Sequence, residues 1–260
     1  MPPSAENVAS KRYSRVLLVN DDGIDEEGLS VLEESFFRLS PWVVAPSDHR
    51  SGCGQSLGLY APLEVESRGS RRWAVNGTPT DCVKLALTRL MSVPPELVVA
   101  GINPGANLAN NVFYSGTVAA ATEAAMWGIP SLAVSVECDG GPPRFDTAAS
   151  VVEMLLSSGL PDGLPNRSLL NVNVPACDFE EIRGYAWTRT ARFAADIPFE
   201  ELRSESLYRY GRFKEQPVLD EEGTDVAAVR NGMVSLTPLS TDRSHLHDLP
   251  SIRHLNGGSD

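Results

Sequence analysis

The sequence predicts an α/β fold with a mostly parallel sheet covered by helices on both faces. Three observations carry that prediction. Short apolar runs such as Val16 to Val19 and Glu96 to Ala100 lack alternation, as strands buried on both faces do. Amphipathic or small-residue helical stretches fall between those runs as far as Val174, the order that builds parallel crossovers. The strand ends run into loops rich in Asp, Asn, Ser and Gly, the places where open α/β sheets bind ligands.

Taken in order, Val16 to Val19 is the first strand, and Asn20-Asp21-Asp22-Gly23 turns out of it. Leu29, Leu32, Phe36, Phe37 and Leu39 mark a helix stopped near Pro41. Trp42 to Ala45 is the second strand, followed by the polar loop Ser47 to Ser56. Leu57 to Glu66 reads as an extended excursion, and Trp73 to Val75 as a brief strand. Thr78 then caps a helix with Pro79 at its first position and Asp81 in its first turn, running to about Met91. Glu96 to Ala100 ends in the loop Gly101-Ile102-Asn103-Pro104-Gly105-Ala106-Asn107, and Ser115-Gly116-Thr117 opens the small-residue helix Val118 to Trp127. Ser131 to Val136, Asp146 to Ser158 and Ser168 to Val174 supply a further strand, helix and strand.

Beyond Pro175 the character changes. Tyr185 to Arg192 and Thr224 to Thr237 alternate like strands, and Asn231-Gly232 reads as a hairpin turn between Asp225–Val229 and Met233–Leu236. Glu200 to Gly223 is charged and irregular. The expected organisation is a flexible tail over 1–14, a catalytic core over 15–175, an oligomerisation extension of hairpins over 176–246 and a flexible tail over 247–260. The competing reading of the extension is a β segment packed on its own domain.

Composition narrows the function. Lys plus Arg number 22 against 34 Asp plus Glu, a formal net charge of −12, which opposes a stable nucleic-acid complex or binding to an anionic membrane. Cys53, Cys82, Cys138 and Cys177 are widely spaced and form no Cys-x-x-Cys pair. The opening residues lack the apolar core of a signal peptide, and no apolar run is long enough to cross a bilayer, so a cytoplasmic home is expected.

The chemistry falls on the strand ends. Asp21 and Asp22, Ser51 and Asn103 each lie just past a strand, where a doubly wound sheet brings loops together. Adjacent carboxylates are costly unless a cation separates them. With a hydroxyl and an amide oxygen they make an incomplete oxygen shell of the kind Mg²⁺ or Mn²⁺ takes in phosphoryl chemistry. Ser115, Gly116 and Thr117 at a helix start can hold a phosphate, or can be an ordinary cap.

Val-Asn-Asp-Asp-Gly at 19–23, Ser51-Gly52, Asn76-Gly77-Thr78-Pro79 with Asp81-Cys82, Gly101-Ile102-Asn103 with Gly105 and Asn107, and Tyr114-Ser115-Gly116-Thr117 resemble the SurE (survival protein E) family in order and spacing. The likeness continues through Leu170 to Pro175 and Gly223-Thr224-Asp225 to Thr237-Pro238-Leu239. The resemblance implies a metal-dependent nucleoside 5′-monophosphate phosphohydrolase with a Rossmann-like three-layer sandwich. It implies one divalent ion per subunit on Asp21, Asp22, Ser51 and Asn103, and a C-terminal hairpin exchanged within a homodimer or homotetramer. On this reading Asp22 is the principal ligand and Asp21 assists the nucleophile or bridges it to the metal, while Asn107, Ser115, Gly116 and Thr117 steady the phosphoryl oxygens. Asn107 has the alternative role of orienting Asn103. The chain departs from the family at Asp25-Glu26-Glu27 and at Ser47-Asp48-His49, both beside the expected substrate entrance.

Other classes fit less well. A receiver-like signalling module needs a carboxylate near Gly101, and none is there. A nicotinamide enzyme needs Gly-x-Gly-x-x-Gly after the first strand. A non-catalytic phosphate- or nucleotide-binding oligomer is the remaining alternative. His245 and His247 are read as surface residues in preference to a second metal pair, which would want a third ligand.

Overall fold

Alternation along the first strand sorts the whole core. Val16 and Leu18 join one apolar cluster and Leu17 and Val19 the other, because successive strand residues face opposite sides of a sheet. The computed structural model describes residues 12–192, 199–202, 206–211 and 222–244. The tail over 247–260 and the pair His245 and His247 lie outside the described residues, as does all but the end of the tail over 1–14.

In chain order the elements are β1 (Val16–Val19), α1 (Glu27–Ser35), β2 (Trp42–Pro46), β3 (Val65–Gly69), β4 (Arg72–Val75), α2 (Pro79–Leu85), β5 (Leu97–Pro104), α3 (Gly116–Met126), β6 (Ser131–Val136), α4 (Phe145–Ser158), β7 (Ser168–Val174), β8 (Tyr185–Trp187), β9 (Phe199–Glu201), β10 (Tyr208–Tyr210), α5 (Asp225–Arg230) and β11 (Val234–Ser240). Among the described residues the main sheet has nine strands in the order β3-β4-β2-β1-β5-β6-β7-β11-β8. The run from β4 to β7 is parallel throughout, whereas β3 and β11 pair antiparallel to their inner neighbours. Leu29, Leu32, Val151, Val152 and Leu155 of α1 and α4 pack on one face. Cys82, Val83, Ala120, Ala121 and Ala124 of α2 and α3 pack on the other, completing three layers.

The local signals explain most boundaries. Thr78 and Asp81 close a reciprocal capping box at α2, with Pro79 in the first turn. The helix continues as a π turn over Ala86–Leu90, which carries it to Met91 as the apolar spacing requires. The helix expected to run to Leu39 ends at Ser35 and gives way to a 3₁₀ turn over Phe37–Leu39, closed by left-handed Ser40 before Pro41.

The C-terminal reading needs correction. Asp225–Arg230 is a helix and not the first arm of a hairpin. Thr224 accepts from the N–H of Ala227, and Asp225 stands in the first turn, so the segment starts as a capped helix. Asn231 has φ −84° and only Gly232 is left-handed, at +70°, so Asn-Gly ends a helix here. A type I′ hairpin turn would need both residues at positive φ. Strand β11 then returns into the main sheet beside β7, with Leu236 opposite Val172, and β8 lies outside it. These strands therefore pack on the chain's own domain. A C-terminal hairpin, β9–β10, begins at Phe199 and continues into the stretch from Glu200 read as irregular, with the Phe199 and Tyr210 rings 4.6 Å apart.

Candidate active site

β1 lies between β2 and β5, so the direction of strand succession reverses at its carboxyl end. That reversal opens the crevice in which doubly wound sheets bind ligands. Asn20 sets the turn there. Its amide donates to the Gly23 carbonyl at 2.7 Å and accepts from the Gly23 N–H at 3.3 Å, which aims the two following carboxylates into the crevice mouth.

Both carboxylates are taken out of water, Asp21 to 2% and Asp22 to 8% exposure. Burial raises the Asp21 pKa above its ordinary value, opposed first by the Thr117 hydroxyl that donates to its Oδ1. Asp22 is pushed up to about 7 by burial and then by the Asp21 charge, with His49 opposing and Glu26 adding to the rise. His49 Nδ1 sits 3.6 Å from Asp22 Oδ1.

The other expected residues arrive on separate elements. The Arg50 N–H donates to the Asp21 carbonyl at 2.7 Å, which ties the β2 loop carrying Ser51 to the end of β1. The Ser51 side chain is exposed and hydrogen-bonded to no described residue. Asn103 is the next-to-last residue of β5, which runs past its expected end at Ala100, and its amide nitrogen donates to the Gly105 carbonyl at 2.6 Å, so the amide oxygen is the end left for a ligand. Gly116 lies against Asp21; a methyl group there would stand 2.7 Å from the Asp21 Cβ. Only glycine permits that approach.

Ser115, Thr117 and Asn107 each have partners within the protein. Ser115 is the N-cap of α3, its hydroxyl accepting from the Val118 N–H at 3.1 Å. Thr117, with the Gly116 N–H, holds the Asp21 carboxylate. Asn107 is fixed from behind. Its N–H donates to Asn173 Oδ1 at 2.7 Å, its amide to Ser135 Oγ at 2.8 Å, and its carbonyl accepts from Asn171 and Asn173. It makes no hydrogen bond to Asn103 in this structure. Asn171, Asn173 and Ser135 were not picked out as site residues from the sequence. The signal was present, since alternating asparagines on a buried strand require partners.

The donor set suits a hard divalent cation, with buried carboxylates carrying excess negative charge and a hydroxyl and an amide oxygen beside them. Among the described residues no group of three or more His, Cys, Asp or Glu could hold a metal by itself, so neutral oxygens must complete any shell.

A pH prediction follows from Asp22. Its folded-state pKa, about 7, lies above the unfolded value. The folded chain therefore holds an extra proton between pH ~4 and that value, so stability from this group falls as pH rises across the window. A divalent cation must displace that proton. Mg²⁺ or Mn²⁺ is expected to raise the melting temperature more at pH 8 than at pH 5; equal increments at both would show that the ion binds elsewhere.

In class, then, this is a doubly wound α/β protein with a buried acid pair at its switch point. The family profile described as Survival protein SurE matches residues 16–196, and the chain belongs to that family. Over 244 residues it is 42% identical to the 5′-nucleotidase SurE of Alkalilimnicola ehrlichii, covering 91% of this chain and 93% of that one. It is also 42% identical over 245 residues to the 5′-nucleotidase SurE of Halorhodospira halophila, covering 92% and 96%. The crystal structure of the SurE protein from Aquifex aeolicus superposes with a TM-score of 0.81 at 37% identity, over 93% of this chain and 99% of that one.

Proposed function

We propose that the chain is a divalent-metal-dependent 5′-nucleotidase, a phosphoric monoester hydrolase that converts nucleoside 5′-monophosphates to nucleoside and phosphate. The observation that carries this reading is the buried Asp21–Asp22 pair at the sheet's switch point, facing a helix start. The printed names of the Alkalilimnicola and Halorhodospira relatives support it.

Asp21, Asp22, the Ser51 hydroxyl and the Asn103 amide oxygen would hold one Mg²⁺ or Mn²⁺ per subunit. When bound, the ion supplies positive charge toward the phosphoryl oxygens and makes a water more acidic. The protein's own groups do the positioning. The Thr117 hydroxyl donates to Asp21 Oδ1 and orients the carboxylate that would accept a proton from the attacking water. With the Gly116 N–H held by Asp21, the Thr117 N–H at the helix start, flanked by Ser115 and Asn107, is suited to steady phosphoryl oxygens. The Asn171–Asn173–Ser135 cluster keeps Asn107 in place.

The unpaired state of Cys53, Cys82, Cys138 and Cys177 suits a reducing cytoplasm. No helix among the described residues is long and apolar enough to cross a membrane. The exposed aromatics Phe199, Tyr208 and Tyr210 on β9–β10 suit a hairpin exchanged between subunits of a homodimer or homotetramer.

The test is phosphate release from matched 5′- and 3′-nucleoside monophosphates. The reading expects release from the 5′ esters. Tight nucleotide binding with no phosphate released would instead define a non-catalytic binding protein.

A further inference from the structure

The turn Asn76-Gly77-Thr78-Pro79, with Asp81, does more than start α2. It clasps the chain leaving the Ser51 loop at three places. The Thr78 hydroxyl donates to the Ser56 carbonyl at 2.8 Å, and the Glu64 N–H donates to Asn76 Oδ1 at 2.6 Å. Between them the Gly58 N–H donates to both Asp81 oxygens, at 3.2 and 3.1 Å. Asp81 is buried, and the same carboxylate accepts from the Thr78 N–H at 3.0 Å, so the helix cap and the clasp share one group. The fit is close. A methyl group on Gly58 would stand 3.1 Å from Asp81 Oδ2, and one on Gly77 would stand 3.1 Å from the Asp81 Cβ.

The loop has little apolar packing to order it. Ser51, Gly52, Gln55, Ser56 and Leu57 are all exposed, so hydrogen bonds are its main ties. Ahead of the clasp, the Arg50 N–H is pinned to the Asp21 carbonyl at 2.7 Å and the Gly54 N–H to the Tyr114 carbonyl at 2.8 Å. Ser51 stands between those pins. The clasp holds the stretch that follows them, and a loose clasp lets the loop leave Tyr114 and carry the Ser51 hydroxyl with it.

We propose that Asp81 is a positioning residue of the metal centre, holding the loop in the arrangement that presents Ser51 to the ion. The proposal rests on the reading of Ser51 as a ligand in that site, and adds to it a group that touches neither ion nor substrate. A loop ordered only part of the time weakens the apparent ion affinity in proportion to the ordered fraction, and saturating ion draws the loop back.

Asp81→Ala removes clasp and cap together. Gly58→Pro removes only the donor on the loop and leaves Thr78 and Asp81 to cap α2, so it keeps the test decisive if Asp81→Ala does not fold. Calorimetry follows Mn²⁺ binding to stripped protein without substrate, and mass spectrometry follows amide exchange over residues 51–64. Both variants are expected to bind Mn²⁺ roughly tenfold more weakly, the low end of the loss from removing an outer partner of a ligand. Exchange over 51–64 should quicken while β1 and β5 exchange as in wild type. Phosphate release should fall at limiting Mn²⁺ and recover as Mn²⁺ is raised. Asp81→Asn, which keeps one acceptor oxygen, should lie between Asp81→Ala and wild type.

Unchanged Mn²⁺ affinity in the folded variants overturns the proposal, while wild-type turnover leaves the nucleotidase reading standing. Weaker binding in Asp81→Ala alone, with Gly58→Pro like wild type, overturns it too, since the loss then belongs to the helix cap. Turnover lost in both variants at every Mn²⁺ concentration also overturns it, because the damage then lies beyond the ion. Weaker Mn²⁺ binding in both variants with no phosphate released by wild type upholds the clasp and removes the nucleotidase reading. Wild type that binds no Mn²⁺ removes both.

Discussion

Asp22→Ala is expected to reduce metal-dependent phosphate release more than about a hundredfold, beyond the 10–100-fold typical of losing a partner behind a ligand. The same substitution is expected to make the metal-free protein more stable at pH 8. Both expectations come from one cause. Asp22 is buried beside Asp21 with its pKa pushed up to about 7, so at pH 8 the folded chain carries two like charges in a dry site. Removing one relieves the repulsion and removes the principal proposed ligand. A gain in stability with a loss of activity is what a site under functional strain gives, and a merely structural aspartate would lose both. Thermal melts of stripped protein and phosphate assays on the restored protein read the two effects separately. Retained turnover in a folded Asp22→Ala protein would remove Asp22 from the machinery.

Asp225→Ala should have the largest effect on stability. Its carboxylate is fully buried and accepts from the N–H groups of Ala109, Ala191 and Val226, each at 2.8 Å. Those donors lie in the turn before α3, in the segment after β8 and at the start of α5, so one side chain joins three stretches of chain. Alanine leaves three buried N–H groups without acceptors, a loss of about 3–5 kcal/mol or more. For a chain of this size that is a fall of roughly 10 °C in melting temperature. Because Ala109 opens the 3₁₀ turn Ala109–Phe113 that leads to Ser115, activity should fall before global unfolding as temperature rises. Asp225→Asn should cost less, since it keeps one acceptor oxygen. A change below about 1 kcal/mol in Asp225→Ala would mean that water replaces the carboxylate there.

The sheet was legible because burial on both faces leaves an unmistakable apolar run, as in Val16–Val19 and Ser131–Val136. The end of β1 was legible too, with Asp21 and Asp22 just past it, whereas β5 runs on beyond the expected end at Ala100 to Pro104 and takes Asn103 into the strand. What could not be read was who pays for each polar group, because the partners are far along the chain. Thr117 looks locally like a phosphate cradle, yet its hydroxyl meets Asp21, 96 residues away. Asn107 reads as a substrate contact, while the asparagines that fix its carbonyl lie 64 and 66 residues on. Asn231-Gly232 failed for a different reason. The dipeptide ends helices as readily as it turns hairpins, and the deciding signal, Thr224 as a cap, lay seven residues before Asn231. His49 stood out only as a departure beside the entrance, and the structure puts it next to Asp22.

The central claim is that the acid pair holds a divalent cation on which hydrolysis of a 5′-nucleotide depends. The most direct test is a titration of Mn²⁺ into metal-stripped protein, with bound ion and phosphate release from a 5′-nucleoside monophosphate followed together. Release that starts from zero and saturates at one ion per chain is the predicted result. Release by the stripped protein at its full rate, or one bound ion per chain with no release, would contradict the account.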